Sequence, residues 1–110
     1  MNDKRVSLLN ELCSAFQLKS YMDFDREITR KDGAKAIHKI KKLKKQILDL
    51  YPYSSTLKLR SGVKTARDSI TCLSQILKAH DMRVIPTQRR IYWDKKRKKT
   101  RAIYNYKIIG

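Results

Sequence analysis

Apolar residues recur at helical spacing along the first three quarters of the chain and at strand spacing along the last. Leu9, Leu12, Cys13 and Phe16 fall at i, i+3, i+4 and i+7, with Val6 and Leu8 widening the stripe. A first helix is therefore expected over about residues 4–18, capped by Asp3. Ala36, Ile40, Leu43, Ile47 and Leu50, broadened by Ile37 and Leu48, predict a second helix from Asp32 to Tyr51. Pro52 ends it, because the residue before a proline avoids the helical region. Val63, Ala66, Ile70, Leu73 and Leu77, with Ile76 beside them, predict a third helix from Ser61 or Lys64 to His80.

The intervening stretches are less regular. Residues 19–32 gather Asp23, Asp25, Glu27 and Asp32. A calcium loop would need a glycine at its sixth position and a glutamate at its twelfth, and both are missing, so Asp23 or Asp25 is expected to cap a short helical turn that Met22 and Phe24 pin to the core. Tyr51 to Ser55 reads as a turn, and Thr56 to Arg60 as either a lone strand or the start of the third helix, with Gly62 marking a sharp bend.

From Arg83 to Ile109, two runs rich in β-branched and aromatic residues flank the five consecutive cations Lys95, Lys96, Arg97, Lys98 and Lys99, the pattern of a β-hairpin with a charged tip. Pairing Trp93 with Ala102 and Ile91 with Tyr104 places Ile91, Trp93, Ala102, Tyr104, Tyr106 and Ile108 on one face. That face is expected to pack on the helices and bury Trp93. The other face, with Arg90, Tyr92, Asp94, Arg101, Ile103, Asn105 and Lys107, stays wet and sets Asp94 across from Arg101. The expected class is α+β: three main helices, then a C-terminal antiparallel β-hairpin, in one domain over residues 1–110.

Charge then narrows the function. Lys and Arg number 27 against 10 acidic residues, a net charge of +17. Residues 1–55 carry a net +5 and residues 56–110 a net +12, so the basicity gathers beside the hairpin. Self-repulsion on this scale points to a polyanionic partner, with nucleic acid ahead of an anionic membrane or an acidic protein. The expected contacts are Lys95 to Lys99, Arg101, Arg89 and Arg90 on the hairpin, and Lys58, Arg60, Lys64 and Arg67 around the start of the third helix. Lys41, Lys42 and Lys45, with Lys35, Lys39 and Lys44, form a second basic surface on a helix without the usual interspersed glutamates.

The chain offers little for catalysis. It has no nucleophile elbow, Walker A loop, dinucleotide glycine motif or HExxH, and its histidines, His38 and His80, have no useful sequence neighbours. Cys13 and Cys72 lack metal-ligand spacing and read as reduced thiols on buried helix faces. No enzyme, metal or cofactor is expected. Without a signal peptide or a run long enough to span a bilayer, a cytoplasmic or nucleoid location is expected, or a nuclear one in a eukaryotic setting, where Lys95-Lys96-Arg97-Lys98 would also serve for import.

Residues 56–110, a basic lead-in, a helix ending Ile76-Leu77-Lys78-Ala79-His80 and strands around Lys95–Lys99, resemble the winged-helix branch of the helix-turn-helix domains. The resemblance implies that the helix before the hairpin enters the major groove of duplex DNA, with Lys64, Arg67, Thr71 and Lys78 facing it. It also implies that Lys95 to Lys99 form the wing contacts, in a regulatory or architectural role. The second helix is longer than that family's usual one, and no clear short turn links it to the third. A second reading is an RNA-binding protein that stacks bases on Tyr92, Trp93, Tyr104 and Tyr106, which requires Trp93 to be exposed. A third is a small inhibitor, of the kind viruses make, that occupies an acidic or RNA-bearing surface of a host machine.

Overall fold

The computed structural model describes residues 3–52 and 57–110, leaving aside the side chains of Asp3 and Gln88. The side chain of the expected Asp3 cap, residues 53–55 of the expected turn over Tyr51 to Ser55, and Thr56 fall outside what is described. Helix α1 (Asp3–Ala15) leads to strand β1 (Glu27–Ile28) and helix α2 (Arg30–Leu50). The one-turn helix α3 (Lys58–Ser61) and helix α4 (Ala66–Lys78) follow, and then strands β2 (Arg83–Asp94) and β3 (Lys99–Ile109). The class is α+β, with four helices among the described residues and an antiparallel sheet in the order β1-β3-β2.

The helices begin where their caps are strongest. Thr29 accepts from the Asp32 backbone N–H while the Asp32 carboxylate accepts from the Thr29 N–H, and Thr65 and Asp68 repeat this box at α4. So Asp32 lies in the first turn of α2 and does not start it, and α4 begins at Ala66, later than the apolar spacing predicts. The stretch 58–61 is a separate helical turn closed by Gly62, whose φ of 110° suits glycine.

Helix α1 ends three residues early because Gln17 turns left-handed (φ 66°) and the Leu18 N–H returns to the Cys13 carbonyl. Asp81 (φ 58°) ends the α4 region in the same way, with the Met82 N–H on the Leu77 carbonyl. In the loop after α1, Asp23 accepts from the Lys19 N–H and caps no helix. Phe24 rests on the core but Met22 is 56% exposed, so only one of the two expected pins holds.

The apolar stripes of α1, α2 and α4 meet in one core with Phe16, Leu9, Ile40, Leu73 and Leu77 at its centre, joined from the sheet by Ile28 and Ile108. Gly33 allows α2 to approach α4 closely: a Cβ there would stand 2.9 Å from the Ala66 carbonyl oxygen. Cys13 and Cys72 are buried free thiols, and burial pushes both up to about 12.

The hairpin corrects the expected register. Ile91 pairs with Ala102, Trp93 with Thr100 and Asp94 with Lys99, two residues from the predicted pairing. The reason lies at the tip, where one Asp94 carboxylate oxygen accepts from the N–H groups of Lys96 and Arg97 and Lys98 turns left-handed (φ 49°), closing a tighter loop. A bulge between Gln88 and Arg90 leaves Arg89 unpaired and shifts the register nearer the body.

The division of faces survives, because a two-residue shift preserves alternation, but its burial does not. At about 3.3 Å per residue the twelve residues of β2 span about 40 Å, whereas the thirteen residues of α4 reach about 20 Å. Tyr106 and Ile108 therefore pack inward, while Ile91 and Trp93 stand clear at 59% exposure each and Tyr104 at 40%.

Candidate nucleic-acid interface

Three strands meet at one carboxylate. Glu27 of β1 accepts from Asn105 Nδ2 of β3 at 2.8 Å and from Thr87 Oγ1 of β2 at 3.4 Å, and it pairs with Arg89 at 3.6 Å. The Asn105 hydrogen bond, with help from Arg89 and Thr87, holds this carboxyl below its ordinary 4.5 against the opposing effect of burial. Arg89 is thus turned by its bulge toward the sheet base, which makes it a structural cation before it is a ligand contact.

Farther out, Arg101 Nη1 reaches Asp94 Oδ2 at 3.3 Å. The expected Asp94–Arg101 pair forms, but diagonally, since Lys99 stands directly opposite Asp94. The Arg97 and Lys96 N–H groups and the Arg101 guanidinium together lower the Asp94 carboxyl below 3.8. Asp94 thereby folds the turn that presents Lys95, Lys96, Arg97, Lys98 and Lys99, all of them exposed. Arg90 lies over the Tyr92 ring at 5.8 Å on the same face as Asp94 and Arg101.

Between α4 and the inner face of the hairpin lies an open cleft of about 650 Å³. Arg67, Thr71, Ser74 and Lys78 line its α4 wall, Ala102, Tyr104 and Tyr106 its sheet wall, and Arg30 and Arg101 also border it. Of the expected contacts, the structure therefore brings Arg67, Thr71, Lys78 and Arg101 to the border of one cleft below the tip. Lys58 is drawn aside by a 3.5 Å pair with Asp68, and Arg60 donates to the Pro52 carbonyl at 3.1 Å. Lys64 is exposed beside the α4 cap, its backbone N–H given to Asp68. Lys41, Lys42 and Lys45 are exposed on α2 and border no part of the cleft.

Arg30 was not among the expected contacts, whereas the exposed Trp93 and Tyr104 belong to the stacking surface of the RNA-binding reading. Thr29-x-x-Asp32 is a capping box and would have put Arg30 in the first turn of α2. Nothing in the local sequence tells how far a hairpin outreaches its helix.

His80 is less isolated than its sequence neighbours suggest. Its Nε2 lies 2.7 Å from the Tyr51 hydroxyl, and Arg5 sits 5.1 Å from the Tyr51 ring centre. Burial, then Arg5, holds the imidazole below its ordinary 6.5. His38 is exposed. Among the described residues no group of three or more His, Cys, Asp or Glu side chains converges, and no helix is long and apolar enough to cross a membrane.

No family model matches the chain, and neither a curated protein nor a solved structure does.

Proposed function

We propose that this protein binds nucleic acid without transforming it, gripping the phosphate chain with the hairpin tip and the cleft at its foot. The observation that carries this reading is the preformed tip: five consecutive exposed cations are fixed on a turn by Asp94, above a cleft bordered by Arg30, Arg67, Lys78 and Arg101. The backbone of the turn is ordered before phosphates are met, and each phosphate neutralised releases counterions. The role that follows is regulatory or architectural.

The winged-helix reading belongs to this proposal. Helix α4 precedes the hairpin and carries Arg67, Thr71 and Lys78 on its exposed side, an arrangement that suits insertion into a major groove with the tip on the flanking backbone. Duplex DNA comes with the winged-helix resemblance, in which Trp93 would be buried against the helices, and the residue is 59% exposed. That exposure favours a partner with unpaired bases.

The test is a binding titration with duplex DNA, duplex RNA and single strands at several salt concentrations. For about six neutralised duplex phosphates, log K is expected to fall with log salt at a slope near −5. A slope shallower than about −2 for every nucleic acid would overturn the proposal in favour of a protein partner.

A further inference from the structure

The inner face of the outer hairpin carries an apolar strip that nothing covers among the described residues: Ile91, Trp93 and Tyr104, at 59%, 59% and 40% exposure. Such a strip commonly marks a contact surface. A second copy of this chain is a poor occupant, since it would bring two tips of five cations each together on chains of net charge +17. The fitting occupant carries negative charge and flat apolar faces at once. A duplex hides its base faces in its own stack, whereas a single strand offers both.

We infer that Ile91, Trp93 and Tyr104 form a stacking platform for the unpaired bases of single-stranded RNA, whose phosphates run between the Lys95–Lys99 tip and the cleft cations. The inference rests on the nucleic-acid reading above. Thr100, directly opposite Trp93 on the same face, and Thr71 and Ser74 on the cleft wall supply hydroxyls that both donate and accept. That is the complement of a ribose 2′-OH. Tyr104 lies four residues along β3 from the level of Trp93, about 13 Å. Bases stacked continuously would repeat every 3.4 Å or so, so the two rings suit a strand held extended with its bases splayed.

Trp93 is the chain's one tryptophan, so its fluorescence reports the platform directly. The experiment titrates the full chain with a short oligouridylate, the oligodeoxyuridylate of equal length and a duplex RNA, following fluorescence and anisotropy together. Saturable quenching by oligouridylate is expected, with weaker quenching by the deoxy strand and little by the duplex. Trp93→Leu is expected to keep the wild-type melting temperature and duplex affinity while losing roughly five- to hundredfold in affinity for oligouridylate. Trp93→Phe, which keeps a ring, is expected to recover most of that loss.

Anisotropy that shows single-strand binding without quenching, or a Trp93→Leu variant that binds oligouridylate normally, would overturn the platform and leave the nucleic-acid reading standing. Equal quenching by the deoxy strand would overturn the assignment to RNA. Absence of salt-dependent binding to any of the three would overturn both readings.

Discussion

Asn105 donates from Nδ2 to Oε2 of Glu27 at 2.8 Å, fastening a strand of only two residues to the long hairpin. The same carboxylate gathers Thr87 and Arg89 from β2, so one side chain fixes the angle at which the hairpin leaves the body. Glu27→Ala is expected to lower the melting temperature by several degrees. Because the folded protein depresses the Glu27 pKa, this contribution is present above the ordinary value of 4.5 and is lost as pH falls through the lower folded value. Thermal melts of both proteins should differ at neutral pH and converge in acid; a constant difference would remove the carboxylate from this role.

Gly33→Ala sets two effects against each other. Alanine favours a helix by about 1 kcal/mol over glycine. Its Cβ, however, would stand 2.9 Å from the Ala66 carbonyl oxygen, a backbone atom at the start of α4 that cannot swing aside. Overpacking of this kind costs about 1–3 kcal/mol, so net destabilisation is expected in a denaturant titration. Stabilisation would mean that α2 and α4 can separate without loss.

Tyr51 and His80 give the fold a second pH dependence. His80 is held neutral, with its folded pKa below 6.5, so the unfolded chain binds its proton more readily. The stability this provides is present above pH 6.5 and is lost as pH falls through the folded value. His80→Gln is expected to flatten the stability profile below neutrality. Tyr51→Phe is expected to cost about 1 kcal/mol at pH 7.5 or so, the worth of the lost hydrogen bond.

The tip is expected to be dispensable for folding. Replacing Lys95, Lys96, Arg97 and Lys99 by serine, and left-handed Lys98 by glycine, keeps Asp94 and the turn it closes. Surface changes of this kind usually shift stability by under about 0.5 kcal/mol each, so melting should hold while affinity for every nucleic acid drops by orders of magnitude. Unchanged affinity would take the tip out of the interface.

Much of the fold is legible residue by residue. The buried stripes Leu9-Leu12-Cys13-Phe16 and Ala36-Ile40-Leu43-Ile47 stand in the sequence at helical spacing, and the faces of β3 and of β2 beyond its bulge follow from alternation. Helix ends were harder to see because Gln17 and Asp81 occupy left-handed positions where a glycine would have signalled termination. Strand β1 was invisible for a different reason. Two residues show no alternation, and their strand character comes from β3 alongside, where Glu27 pairs with Lys107 and Ile28 with Tyr106. The tip cations were plain from composition. The cleft was not, because it depends on the relative lengths of α4 and β2 and on Arg30 joining a helix whose cap lies at Thr29.

Among the described residues, strand β1 pairs only beside Tyr106 and Lys107 and β2 has no outer neighbour, so the far half of the hairpin has both edges open. Open edges invite other strands, and here the tip charge acts as a colloidal guard that keeps molecules apart. A polyanion that binds the tip also removes the guard. Mixtures near charge balance should therefore turn cloudy and clear again with either component in excess, so the quantity of bound polyanion, as well as its kind, governs whether the protein stays dispersed.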